Sequence, residues 1–228
     1  TMDLCVGCKG CKRDCPTGID MARMKVEFQH HYRARHGATL LQRMVGELPR
    51  YASLAARVAP LLNLRNRSSI VAWLMQRVTG IDARRSLPVW RRRSFLRDKR
   101  LSRELLRGGI DAAGHDAQAA AVARPVGDVV LWVDTFNNHF EPEVLRAALQ
   151  VLRAAGYRVH HAQAAGRDAR RPLCCGRTYL ASGRIDKARA EAARTLDALL
   201  PYLRRGATVV GLEPSCLLTM RDEFLVLG

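Results

Sequence analysis

The sequence predicts a chain of the α/β plus helical class: a cysteine loop at the start, a helical region after it, then a parallel α/β unit. Three observations predict it. Four cysteines fall within eleven residues, Cys5 to Cys15, in a stretch with little apolar material of its own. The next hundred residues carry apolar side chains at helical spacing, broken by Gly and Pro. Beyond residue 126 the period changes, and short apolar runs alternate with amphipathic segments, the pattern of a parallel sheet.

The elements follow in order. Residues 1–19 form the loop, with Gly7, Gly10, Pro16 and Gly18. Asp20 is a good N-cap for a helix running to about Arg35, with Met21, Met24, Phe28 and Tyr32 on one face and Gly37 as the stop. Further amphipathic stretches are expected at 39–47, 51–62 and 68–78, punctuated by Gly46, Pro49, Pro60 and Gly80. Residues 83–107 are strongly basic, and 111–125 read as a linker rich in Ala, Gly and Asp. Strands are expected at 128–133 (DVVLWV), 157–161 (YRVHH) and 207–212 (ATVVGL). A helix over 141–156 is expected to turn Val144, Ala148, Val151 and Ala155 inward. A second over 185–203 is expected to bury Ala188, Ala192, Leu196, Leu199 and Leu203. The units are therefore 1–36, 37–125 and 126–228.

Composition narrows the function. The chain has 228 residues, 48% hydrophobic, enough to build a core. There is no secretory h-region and no apolar run of membrane-spanning length. The formal net charge of +17 would suit nucleic acid, an anionic membrane or an acidic partner. Aromatics total only 6% and are not interleaved with the basic residues, so nucleic acid is not expected as a partner. The basic segment shows no single-sided amphipathic pattern and reads as a solvated surface, with peripheral contact to the inner face of the cytoplasmic membrane as the alternative. Seven cysteines, four of them clustered, are not a disulfide framework; they read as metal ligands in a reducing, cytoplasmic compartment.

Cys5-x2-Cys8-x2-Cys11-x3-Cys15-Pro16 is the spacing of the bacterial ferredoxin ligand run. Two residues between ligands let one loop wrap a cubane, and Gly7 and Gly10 permit the tight turns that bring backbone N–H groups to the sulfides. The fourth cysteine of such a run, beside proline, ligates a second cluster. A zinc site is the alternative, although zinc ribbons typically use two separated Cys-x2-Cys pairs. A second constellation, Cys174-Cys175-Gly176 and Glu213-Pro214-Ser215-Cys216, lies after the second and third strands. With the loop 134–139 after the first strand, these should converge at the carboxyl ends of the sheet, where parallel sheets hold ligands. The alternative there is buried structural thiols. His139, His160 and His161 are read as solvated or satisfied rather than ligating, His30 and His31 as surface residues, and Glu213 as a cap or turn partner.

The run LCVGCKGCKRDCPTGIDMARMKVEF resembles the iron–sulfur region of the large bacterial FAD-linked oxidases, the D-lactate, glycolate and D-2-hydroxyglutarate dehydrogenase group. The segments LWVDTFNNHFEPEVLRAALQVLRAAGYRV, LCCGRTYLASGRIDKAR and VVGLEPSC resemble the first half of the cysteine-rich CCG domain, shared with the iron–sulfur component of glycolate oxidase and with heterodisulfide reductases. The resemblance covers 3–36 and 127–228, and the helical middle more loosely. It implies that Cys5, Cys8 and Cys11 ligate one [4Fe–4S] cluster, that Cys15 ligates a second cluster coded upstream, and that Cys174, Cys175 and Cys216 are the cysteines of the CCG domain. It implies an FAD domain in the same polypeptide or complex, and a downstream acceptor that is a quinone, a cytochrome or another carrier. The expected function is electron transfer from reduced flavin in a 2-hydroxy-acid dehydrogenase. The alternatives are a zinc- or nucleic-acid-binding module and a heterodisulfide-reductase-like thiol site. On this reading the chain is a piece of a larger protein and inactive alone, and the loop 1–19 should be poorly fixed.

Overall fold

The computed structural model describes residues 5–98, 101, 125–166, 169 and 171–227. The expected linker at 111–125, apart from Pro125, lies outside the described residues, as do 99–100 and 102–107 of the basic segment.

The first half is helical. A short helix α1 (Gly10–Asp14) lies inside the cysteine loop. Helix α2 (Met21–His36) starts where Asp20 accepts a hydrogen bond from the Arg23 N–H at 3.0 Å, and it ends at Gly37, φ 78°. A capping box of Thr39 and Gln42 opens α3 (Leu40–Gly46). Then come α4 (Leu48–Ala55), α5 (Ala59–Asn63) and α6 (Ser69–Thr79), the last capped by Ser68 and stopped by Gly80.

Side-chain amides and one buried arginine hold the segment after α6. Asn63 exchanges two 2.9 Å hydrogen bonds with the Trp90 backbone, and Asn66 does the same with Leu87 at 2.7 and 3.0 Å. Arg65, buried, donates to the carbonyls of Asp82 and Arg85 at 2.9 and 2.7 Å. These bonds steer the chain to Phe95, which is fully buried in the core of the second half.

That core surrounds a parallel sheet of β1 (Gly127–Trp132), β2 (Tyr157–His160) and β3 (Thr208–Gly211) in the order β2-β1-β3. Val130 is level with His160 on one side and Val209 on the other. Connections run through α7 (Thr135–His139) and α8 (Pro142–Ala154) to β2, then α9 (Arg177–Ala181) and α10 (Ile185–Leu203) to β3. After β3 come α11 (Pro214–Leu218), a π turn over Thr219–Glu223 and α12 (Phe224–Leu227). Alternation along β1 builds two cores. Val129, Leu131 and Val133 pack with Leu145 and Leu149 of α8, while Val130 and Trp132 pack with Leu199 and Tyr202 of α10.

Several expected faces are corrected. On α2 the stripe Met24, Phe28 and Tyr32 is turned to solvent, and Ala22 and Gln29 are buried instead. On α8, Val144 and Val151 are exposed while Leu145 and Leu149 face the sheet. On α10, Leu196 and Leu203 are exposed, and Thr195, Glu191 and Tyr202 join Ala188, Ala192 and Leu199 inside. The cysteine loop is better fixed than its composition suggests: from Cys5 onward it is tied to α2 by Lys25 on the Cys5 carbonyl and to the second half by Lys9 and Arg177.

Helix α2 rests on the second half through Val26, which packs on the cluster of Tyr179, Leu180 and Ala188, and through the turn at Gly183. Gly183 has φ +63°, and a Cβ there would sit 2.9 Å from backbone atoms of Gln29 and His30. His30, expected at the surface, places Nδ1 3.1 Å from the Gly183 carbonyl; His31 is exposed. No described helix is long and apolar enough to cross a membrane.

Candidate functional site

The first constellation is a loop of thiols near solvent. Cys8 and Cys11 are exposed and Cys5 and Cys15 half-buried. Between them the backbone turns left-handed twice, at Gly7 (φ +68°) and at Lys9 (φ 60°). Lys9 is the one described non-glycine residue with positive φ, a conformation that costs an L-residue roughly 1–2 kcal/mol. Its ammonium is held by Asp222 and, at 3.0 Å, by Glu223. Cys15 is extended, as a residue before proline must be, with its sulfur 3.1 Å from the Thr17 hydroxyl.

The donor set is what a soft metal or an iron–sulfur cluster takes: thiols only, at short equal steps, on a loop with glycine where the turn is tightest. Among the described residues no three His, Cys, Asp or Glu side chains gather as a metal-ligating group. The four loop cysteines therefore fit a cluster by chemistry and spacing, and they are not brought together as one closed ligand set.

The second constellation is buried and assembled by the fold. Three loops meet at the carboxyl end of the sheet, as the strand order requires. From the β1 loop, Asp134 caps α7, accepting from the N–H groups of Phe136 and Asn137 at 2.9 Å. From the loop before α9 come Cys174 and Cys175, and from α11 after β3 comes Cys216. All three cysteines are buried. The sulfurs of Cys175 and Cys216 lie 3.1 Å apart although 41 residues separate them. Cys174 is in hydrogen-bond reach of the Thr135 side chain, and its sulfur accepts from the Gly176 N–H at 3.4 Å.

Burial and mutual contact raise the pKa of Cys174 and of Cys175. The Cys175 side chain, then desolvation, pushes Cys174 far up. For Cys175, the hydrogen bond from Cys174 favours the thiolate, but the Cys216 thiol and burial outweigh it and the pKa rises. A metal taken here must displace the protons of those two thiols, so the site is closed to casual thiol chemistry.

Two residues that sequence reasoning missed hold Cys174. Glu191, almost fully buried, accepts from the Cys174 N–H at 3.1 Å and pairs with Arg171 at 2.7 Å and with Arg194. Thr195 donates to the Cys174 carbonyl at 2.9 Å. The signal was present: both are polar positions on the inward face of α10, between Ala188 and Leu199.

The remaining candidates behave as supports. Glu213 caps α11, accepting from the Ser215 N–H at 3.3 Å and the Ser215 hydroxyl at 2.7 Å. His160 is buried and 2.6 Å from Asp128. His139 and His161 are buried too, His161 on the satisfied rather than the solvated side of the expectation, with the Leu131 backbone in its environment, and burial lowers each to about 4. A cavity of about 550 Å³ is lined by Cys5, Val26, Leu180, Ile185 and Arg189 among others, beside the place where Val26 of α2 packs against the buried cluster of Tyr179, Leu180 and Ala188. The loop itself meets the second half through the polar contacts of Lys9 and Arg177.

No family model matches the chain, and no solved structure does. Distant relatives among curated proteins are dehydrogenases. The D-2-hydroxyglutarate dehydrogenase of Haemophilus influenzae is 20% identical over 229 residues, 98% of this chain and 20% of that protein. That of Escherichia coli (strain K12) is 22% identical over 234 residues, 100% of this chain and 21% of that protein. One component of the anaerobic glycerol-3-phosphate dehydrogenase of the same strain is 25% identical over 173 residues, 75% of this chain and 38% of that component. The chain spans about a fifth of the length of the D-2-hydroxyglutarate dehydrogenases it matches.

Proposed function

We propose that this chain is the iron–sulfur electron-transfer region of an FAD-dependent D-2-hydroxy-acid dehydrogenase. The observation that carries the reading is the Cys5–Cys15 run on a loop with two left-handed turns. Relatives that match nearly the whole chain and are D-2-hydroxyglutarate dehydrogenases support it. Cys5, Cys8 and Cys11 would hold one [4Fe–4S] cluster. Cys15 would serve a second cluster, completed by ligands outside these residues. When bound, the cluster supplies one-electron steps, which divide the two electrons a flavin receives from a 2-hydroxy acid and pass them to a quinone, cytochrome or other carrier. The chain's own residues do no substrate chemistry on this reading. Gly7 and Lys9 turn the backbone, Lys25 fixes the Cys5 carbonyl, and the second half, read as the first repeat of a CCG domain, backs the loop.

The units 1–36, 37–125 and 126–228 are proposed as the ferredoxin-type segment, the helical region and that CCG repeat. A second reading rests on the Cys175–Cys216 approach of 3.1 Å with Cys174 beside it: a separate metal or thiol-redox site of the heterodisulfide reductase kind.

The test is metal analysis of the complete protein prepared without oxygen. Iron with acid-labile sulfide is expected, and Cys8→Ala should lower both by the content of one cluster. Zinc without sulfide would replace the relay with a zinc module.

A further inference from the structure

We propose that Arg177 joins the two cysteine sites and raises the reduction potential of the cluster held by Cys5, Cys8 and Cys11. The inference rests on reading that loop as a cluster ligand run. Three observations meet at this one side chain. Its Nη2 donates to the Gly7 carbonyl at 3.2 Å, inside the turn between Cys5 and Cys8 and 170 residues away in sequence. Its Nη1 donates to Glu223 at 2.9 Å, and Glu223 also holds Lys9 of the same loop. Its backbone N–H is directed at the sulfur of Cys175. One residue therefore touches the ligand loop with its guanidinium and the buried thiol site with its amide.

The local backbone is shaped for this contact. Gly7 is left-handed, a conformation that favours glycine, and a Cβ there would lie 3.3 Å from Arg177 Nη2, so the guanidinium would have to give by a few tenths of an ångström. Cys5, Val6, Gly7 and Lys9 of the loop line one side of the cavity and Arg177 and Glu223 line the other, and the polar contacts of Arg177 and Glu223 bridge them.

The sign of the effect follows from charge. Reduction adds one electron and no proton to the loop cluster, so a fixed cation nearby favours the reduced form. Lys9 is a poorer candidate, because both Asp222 and Glu223 neutralise it. Arg177 has one carboxylate partner among the described residues, which it shares, and is always charged. Glu223 opposes it, so removing Glu223 should act in the other direction.

The experiment is a redox titration, followed by electron paramagnetic resonance, of the complete protein prepared anaerobically. Arg177→Met should lower the potential, shifting the equilibrium threefold to tenfold, tenfold being about 59 mV for one electron. Arg177→Lys should stay close to wild type, and Glu223→Gln should move the potential upward. Mere loosening of the loop would move Arg177→Met and Glu223→Gln the same way, and that result, or an unmoved Arg177→Met, overturns the proposal. If Arg177→Met fails to fold or to hold its cluster, Glu223→Gln and a doubly substituted Arg177→Lys, Glu223→Gln protein decide it: both should move the potential upward, because each keeps the cation and loses the carboxylate, and a downward or absent shift in both overturns the proposal. Absence of any cluster signal in the wild type would instead sink the reading of the loop itself.

Discussion

The two cysteine constellations are built on opposite principles. Cys5, Cys8, Cys11 and Cys15 are adjacent in sequence, near the surface, and held by backbone turns and a few polar tethers. The pair Cys174–Cys175 and the distant Cys216 are buried and brought together by two strand-end segments, 41 residues apart between Cys175 and Cys216. The first is a ligand set whose spacing does the organising, so it can be read without a structure. The second is a product of the fold, and its closeness depends on packing that no local motif encodes.

The contrast makes its largest prediction in thiol reactivity. In protein stripped of metal and reduced, Cys8 and Cys11 should alkylate faster than Cys175 and Cys216 by at least about a hundredfold, because the buried pair reacts only through opening. Mass spectrometry of partially labelled protein reads this directly. Equal labelling would erase the distinction between the sites.

Stability should divide the sites in the same way. Glu191→Ala leaves Arg171, Arg194 and the Cys174 N–H without their buried carboxylate, and should cost about 3–5 kcal/mol. Cys8→Ala, at an exposed loop position, should stay within about 0.5 kcal/mol in the metal-free protein. Urea unfolding compares the two variants.

A smaller effect concerns pH. His139 and His161 are held neutral by burial, each lowered from 6.5 to about 4. Between those values the unfolded chain binds more protons than the folded one, so stability rises with pH and is lost on acidification from about 6.5 toward 4. Each histidine contributes about 1.4 kcal/mol per pH unit in that window. Thermal unfolding at a series of pH values should show this slope, and His161→Asn should flatten it.

The smallest expected effect lies on α2, where Phe28→Ser should change stability by less than about 0.5 kcal/mol because the ring is half exposed. A large loss would mean that this face is covered.

Phe28 also shows what the sequence conveys and what it withholds. Spacing located α2, its Asp20 cap, the three strands and α10 within a residue or two, because caps, glycines and periodicity are local signals. Which face turned inward was not local. On α8 the stripes Val144–Ala148–Val151 and Leu145–Leu149–Leu152 both satisfy a helical period, and only the crossover between β1 and β2 turns the leucines and Ala148 to the core and leaves the two valines outside. The loop cysteines were legible because their chemistry is in their spacing. The approach of Cys175 to Cys216 was legible only as a consequence of strand-end convergence, and the roles of Glu191, Thr195 and Arg177 emerged only from packing.

The relay itself is tested most directly by adding a D-2-hydroxy acid to the complete protein without oxygen and watching flavin and cluster together. If the loop cluster carries electrons from the flavin, the flavin is reduced first and a paramagnetic reduced-cluster signal follows, and Cys8→Ala keeps the first event and loses the second. Flavin reduction with no cluster signal in the wild type, and zinc in place of iron and sulfide, would contradict the relay.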